Sequence, residues 1–185
     1  LSLMSLAACG GKPFNVQPRP ATPHAIKGAE VEVNGVTLQA EAVTDENLIY
    51  DTFDANLILA GILPVRVKVT NSRPEPFEIR RARFEVRGPG GRTYKSIRPD
   101  RAYKRLMSYY DIGTYNKDGY RRSRSDFEAY GLNTSEPLGV EESRQGILFF
   151  PVPDEEIRAG GLTFVARRID AKGSDSDSDI EIRLN

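Results

Sequence analysis

The chain has 185 residues, one thiol (Cys9) and one imidazole (His24), and these two set the first limits on its chemistry. A nucleophile needs a base within hydrogen-bond reach. His24 stands among Pro18, Pro20 and Pro23 and reads as a solvated linker residue. A structural zinc site needs four nitrogen or sulfur ligands, which two such residues do not supply. The carboxylate pairs, Glu141-Glu142 and Asp154-Glu155-Glu156, are sequence neighbours of the kind that turns solvate. Asp175, Asp177 and Asp179 have calcium-loop spacing, but Ile180 occupies the position where that loop needs a glycine. They are read as a solvated turn. The expectation is a protein without catalytic residues, cofactor or metal, and a small hydrolase is the remote alternative.

The densest binding chemistry lies between residues 98 and 131, which hold six of the eight tyrosines. The candidate binding residues are Arg98, Arg101, Tyr103, Lys104, Arg105, Tyr109, Tyr110, Tyr115, Tyr120, Arg121, Arg122 and Arg124; Lys117 lies in the same segment. Tyrosine and arginine dominate interface hot spots, and guanidinium groups pair with phosphate or carboxylate. The competing reading is that the tyrosines pack this insertion onto the rest of the fold.

These residues must be positioned by what surrounds them. Leu1 to Ala8 carry no charge and run into Cys9 and then Gly10-Gly11, the pattern of a secretory signal ending at a cleavage point. Leu6-Ala7-Ala8-Cys9 resembles the lipobox of bacterial lipoproteins. The resemblance implies cleavage between Ala8 and Cys9, a diacylglycerol on the Cys9 sulfur and a membrane partner held through lipid. Gly10 is not the Asp that marks inner-membrane retention in such proteins, so the outer membrane is the expected location. With no Met or charged segment before Leu1, the signal is expected to begin further upstream. No other segment approaches the roughly 18 apolar residues that span a bilayer. Residues 9–28, with four prolines, read as a tether of at most about 60 Å, and residues 29–185 as one domain.

Net charge is zero but segmented: −7 over residues 29–63, +11 over 64–124 and −7 over 125–185. Charge runs usually form solvated faces that neutralise one another after folding. The sharper alternative is a basic face for an anionic partner. Nucleic acid is not expected for an exported lipoprotein.

The domain itself reads as β. Val31 and Val33, Asn34-Gly35, then Val36, Leu38 and Ala40 predict a hairpin with a positive-φ turn. Val65, Val67 and Val69 alternate with Arg66, Lys68 and Thr70, a strand with one dry face. The apolar parity shifts between Ile79 and Ala82, which requires a bulge or a change of sheet near Arg80-Arg81. A short helix is expected after an Asp51-Thr52 cap, a second from Pro99, and a third from Ser123 to Gly131. Ile147 to Phe150 is apolar on both faces and reads as a covered, central strand, and alternation resumes at Leu162 and Ile180.

About seven short strands predict an antiparallel sandwich. The run ILPVRVKVTNSRPEPFEIRRARFEVRGPGGRTY and the later GVEESRQGILFFPVP resemble the immunoglobulin-like (telokin-like) modules of bacterial lipoproteins. That resemblance covers roughly residues 62–153 and brings no catalytic residues. It implies a mainly β, immunoglobulin-like sandwich with a helical insertion near 98–131. The functional expectation is a binding module for an envelope protein, with an envelope glycan or anionic polymer bound through residues 98–124 as the alternative.

Overall fold

The computed structural model describes residues 11–169 and 179–184; Ala8, Cys9, Asp175 and Asp177 lie outside them. Eight strands form two antiparallel sheets of four. The first holds β1 (Glu30–Val33), β2 (Val36–Ala42), β3 (Leu63–Asn71) and β6 (Ser143–Phe150), in the order β1-β2-β3-β6. The second holds β4 (Arg83–Arg87), β5 (Thr93–Lys95), β7 (Thr163–Arg167) and β8 (Ile180–Arg183), in the order β5-β4-β7-β8. Thus β2, β3 and β6 stand where strands A, B and E of an immunoglobulin domain stand, and β5, β4, β7 and β8 take the places of C′, C, F and G. The fold is a mainly β sandwich, as expected.

The predicted hairpin forms, with Asn34 and Gly35 at φ 50° and 72°. Val65, Val67 and Val69 are fully buried, while Arg66, Lys68 and Thr70 remain partly exposed on the wet face. The parity shift at Ile79 is a single 3-10 turn, Ile79–Arg81. It carries the chain from the first sheet to the second. Asn71, at the end of β3, is buried and closes the turn that follows. Its Nδ2 donates to the carbonyls of Glu75, Leu138 and Gly139, and its Oδ1 accepts the Arg73 N–H.

Helices occupy the place of the missing strand D: α2 (Pro99–Tyr109) and α3 (Lys117–Glu128). Two others, α1 (Glu46–Phe53) and α4 (Asp154–Ala159), lie in connections. Pro99 opens α2 as expected. The other helix starts differ from expectation, and the reasons are local. Asp45, not Asp51-Thr52, caps α1 by accepting the Asn47 and Leu48 N–H groups; Thr52 Oγ1 bonds back to the Leu48 carbonyl in the last turn. Asn116, not Ser123, caps α3 through the Asp118 and Gly119 N–H groups. Ser123 lies inside that helix, fully buried. The α4 turn, which follows Pro153, has no counterpart among the helices expected from the sequence.

The β6 strand is covered but is not central. It is the last strand of its ladder, and its outer backbone groups are met one by one. The Ile147 N–H donates to the Tyr130 carbonyl, and the Ile147 and Phe149 carbonyls accept from the Leu132 and Ile97 N–H groups. This requires very close backbone approach at Gly146, where an added Cβ would lie 2.5 Å from Leu132 Cα. Gly146→Ala is therefore expected to lower stability by about 2 kcal/mol through overpacking, read as a lower denaturant midpoint at unchanged m-value.

Candidate functional site

The insertion packs an aromatic layer against the sandwich. Phe127 stacks on Phe149 with centroids 5.0 Å apart, and Phe53 meets Phe127 at 5.2 Å and Tyr130 at 5.1 Å. Into the same layer come residues assigned above to the tether. Phe14 and Val16 are 3% and 4% exposed. Phe14 sets its ring edge against Tyr103 and Tyr110. Ser123 Oγ accepts the Phe14 N–H and donates to the Phe14 carbonyl. Lys12 pairs with Asp126 at 2.7 Å, Gln17 N–H donates to the Thr52 carbonyl, and the Arg19 guanidinium donates to the Ala129 and Gln145 carbonyls. The free spacer expected over residues 9–28 is corrected accordingly. From Lys12 to Arg19 the segment is a strap built into the domain, because Phe14 and Val16 fill an apolar gap that the helices leave.

The candidate binding residues divide into three groups. Tyr103 is fully buried, and Tyr120 is half-buried against it at 5.7 Å, under the Arg124 guanidinium. Other members are committed to neighbours. Arg98 pairs with Asp100, Arg121 with Asp118 and Arg124 with Glu128; Arg105 Nε donates to the Ala60 carbonyl, and Tyr110 OH accepts the Asn56 N–H. The third group faces outward: Arg101, Lys104, Tyr109, Tyr115, Lys117 and Arg122 are exposed, and its four cations have no ion pair among the described residues. The sequence thus placed binding and packing chemistry in one segment, and the fold separates them by helix face.

Elsewhere the charged segments do neutralise one another. Arg66 reaches Glu41, Arg87 reaches Glu181 and Arg92 reaches Glu156. Asp179, the described member of the aspartate triplet, sits near Arg167, which also pairs with Glu85. Tyr94 OH donates to Glu156 at 2.6 Å, and that bond, more than burial, raises its pKa above the usual phenol value. Among the described residues no three His, Cys, Asp or Glu side chains group as metal ligands. No described helix is long and apolar enough to cross a membrane.

A cleft opens where the strap meets α1 and β6. Val43, Ile49, Phe53 and Ile147 contribute its apolar floor, and Leu48, Pro20, Pro23, His24 and Arg66 line it as well. Its volume is about 80 Å³, well below the roughly 300 Å³ at which metabolite pockets begin. Sequence reasoning missed it because Arg19, Pro20, Pro23 and His24, which complete its wall, belong to a run that reads as free tether. The signal that this run joins the domain was Phe14 and Val16, two apolar residues among prolines.

No protein-family model and no curated protein matches this chain. Among solved structures it is similar to the yjhA protein from Bacillus subtilis, at 11% identity over 85% of this chain and 97% of that one, with a TM-score of 0.46. It is also similar to a conserved hypothetical protein from Bacillus anthracis, at 10% identity over 75% and 87% of the two chains and a TM-score of 0.41. An uncharacterized β-sandwich protein from Clostridium difficile matches at 8% identity over 89% and 97%, with a TM-score of 0.38.

Two measurements check the packing. Burial pushes the Tyr103 phenol pKa up. Ser123 is near enough to oppose this, but its Oγ is already committed to Phe14 on both sides, and the buried Tyr103 hydroxyl has no hydrogen-bond partner. Tyr103→Phe is therefore expected to leave stability within about 0.5 kcal/mol or raise it, whereas Tyr103→Ala costs about 3–5 kcal/mol, both read from thermal unfolding. At the loop before β6, the Gly139 N–H and then the Arg144 guanidinium hold the Glu142 carboxyl below its ordinary pKa. A depressed carboxylate contributes above its unfolded pKa and loses that contribution as pH falls through its folded one. Hydrogen-exchange protection of the Gly139 amide is expected to fall in that acid range, and Glu142→Gln to abolish the pH dependence.

Proposed function

We propose that this protein is a lipid-anchored protein of the bacterial envelope that presents a non-catalytic immunoglobulin-like module to another protein. The observation that carries the binding part of this reading is the cleft beside β6. It offers a small apolar floor with Arg19, His24 and Arg66 on its wall. A peptide that places one aliphatic or aromatic anchor there is the ligand chemistry that fits best, because interface hot spots are such anchors in well-fitted pockets. The anchoring part rests on Leu6-Ala7-Ala8-Cys9, ending in the chain's single cysteine. Two acyl chains, at about 0.8 kcal/mol per buried CH₂, suffice for stable attachment.

A second reading has one observation in its favour. Arg101, Lys104, Lys117 and Arg122 are exposed cations without ion pairs among the described residues, a surface suited to an anionic envelope glycan.

The primary reading is tested in a bacterial host. Cys9→Ser is expected to abolish incorporation of labelled palmitate and to move the protein from the membrane fraction to the soluble one. A label that persists in that variant removes the anchor assignment. A photo-crosslinking residue at Leu48, on the cleft wall, is expected to trap one reproducible protein partner, and the same group at exposed Tyr115 is expected to miss it. The absence of a reproducible adduct at Leu48 counts against the binding site. Salt-dependent retention of the protein on purified lipopolysaccharide, lost in Arg101→Glu/Lys104→Glu, is the result that supports the glycan reading instead.

A further inference from the structure

The strap fixes where the proposed anchor must be. The carbonyl of Gly11 lies against the first turn of α3, where a Cβ on Gly119 would come within 2.8 Å of it. From there the chain runs along α3, through the Lys12–Asp126 pair and the Phe14–Ser123 bonds, to Arg19 at the Ala129 carbonyl. Cys9 is two residues before Gly11. A fully extended chain covers at most about 3.6 Å per residue, so the acylated residue lies within about 7 Å of Gly11. The stand-off that a free tether would give is absent. The end of the α2–α3 hairpin that carries the α3 N-terminus is held at the depth of the lipid headgroups.

That end has the composition of a membrane-interface surface. Tyr115, in the α2–α3 connection, is 97% exposed, and Tyr109 is 50% exposed. Lys117 and Arg122 extend from α3 without ion pairs among the described residues, and Arg121 is opposed by Asp118. Residues 109–122, which form this end, carry three bases, Lys117, Arg121 and Arg122, against two acids, Asp111 and Asp118. Tyrosine rings settle at the headgroup level, and Lys and Arg held next to a membrane attachment point are drawn to anionic lipid. We infer that the α2–α3 hairpin end, from exposed Tyr115 and Lys117 along α3 to Arg122, is a docking surface for anionic phospholipid headgroups, which fixes the orientation of the domain on the bilayer. A soluble glycan would place no demand on where Cys9 sits, whereas this surface stands at the anchor. At its other end the strap reaches the Ala129 carbonyl, just past the C-terminus of α3, through Arg19, which also lines the cleft. The cleft thus lies at the end of the strap opposite the anchor.

The inference rests on acylation of Cys9, and the experiment separates the two. The chain contains no tryptophan, so Tyr115→Trp creates a sole tryptophan, excited selectively over the seven remaining tyrosines, at a site too exposed to disturb folding. The full-length lipidated variant is reconstituted into vesicles of 70% phosphatidylethanolamine and 30% phosphatidylglycerol, with and without brominated acyl chains. The expected result is blue-shifted emission quenched by the brominated lipid. The docked-to-undocked ratio should fall by about fivefold for each of Lys117→Glu and Arg122→Glu, and also in 0.5 M salt. Protein that floats with the vesicles but stays unquenched overturns the docking surface and leaves the anchor standing. Protein that does not float overturns the anchor and the docking surface with it. Emission unmoved by the vesicles but shifted by soluble lipopolysaccharide assigns the surface to a free anionic polymer and overturns the inference.

Discussion

The outer edge of β6 is the constraint from which the rest of this molecule follows. In an immunoglobulin sandwich the E strand is normally paired by D. Here D is absent, and an unpaired row of backbone groups beside an apolar strand invites pairing with another chain. The protein satisfies that row in pieces. Tyr130 and Leu132 serve Ile147, Ile97 serves Phe149, and the Arg19 guanidinium serves the Gln145 carbonyl. Gly146 is the residue that lets the Gly131–Leu132 backbone approach closely enough.

Covering the edge with helices creates a second need. Two short helices cannot fill the corner between themselves and α1, and the aromatic layer of Phe53, Phe127 and Phe149 would be left open on one side. Phe14 and Val16 close it. Ser123 holds that closure with a reciprocal pair of bonds to one backbone residue, the geometry of a single rung of β-sheet made by a side chain. From this one packing solution come both features: the cleft, whose wall includes Arg19 and the residues that follow the strap, and the short distance between the hairpin end and the proposed lipid anchor. The proposed docking would present a defined face rather than all orientations, and would lower the entropy lost when a partner binds.

The segmentation of charge acquires a physical meaning in the same frame. The basic middle of the chain meets acids from both flanks across the sheets, as in Arg66–Glu41, Arg87–Glu181 and Arg92–Glu156. Such exposed pairs contribute little individually. What they leave behind matters more: the cations of the hairpin that no acid reaches among the described residues.

The sequence by itself determined the class of the fold and most of its β elements. Alternation at Val65, Val67 and Val69, the Asn34-Gly35 turn, the parity shift at Ile79 and the Pro99 helix start are all local signals, because a strand or turn records in its own residues which face it buries. The sequence also placed the tyrosines and arginines in one segment. Tertiary structure decided the rest. Ser123 has the residue type and spacing of a helix cap but serves Phe14, 109 residues away. Tyr103 and Tyr115 are alike in composition, yet one is core and the other surface. A proline-rich run that cannot form helix or sheet reads as free chain, because nothing in its own periodicity reports that two of its side chains fill a gap made by three other elements. Local patterns encode burial of a residue's own face; which distant surface completes that burial is settled only when the elements pack.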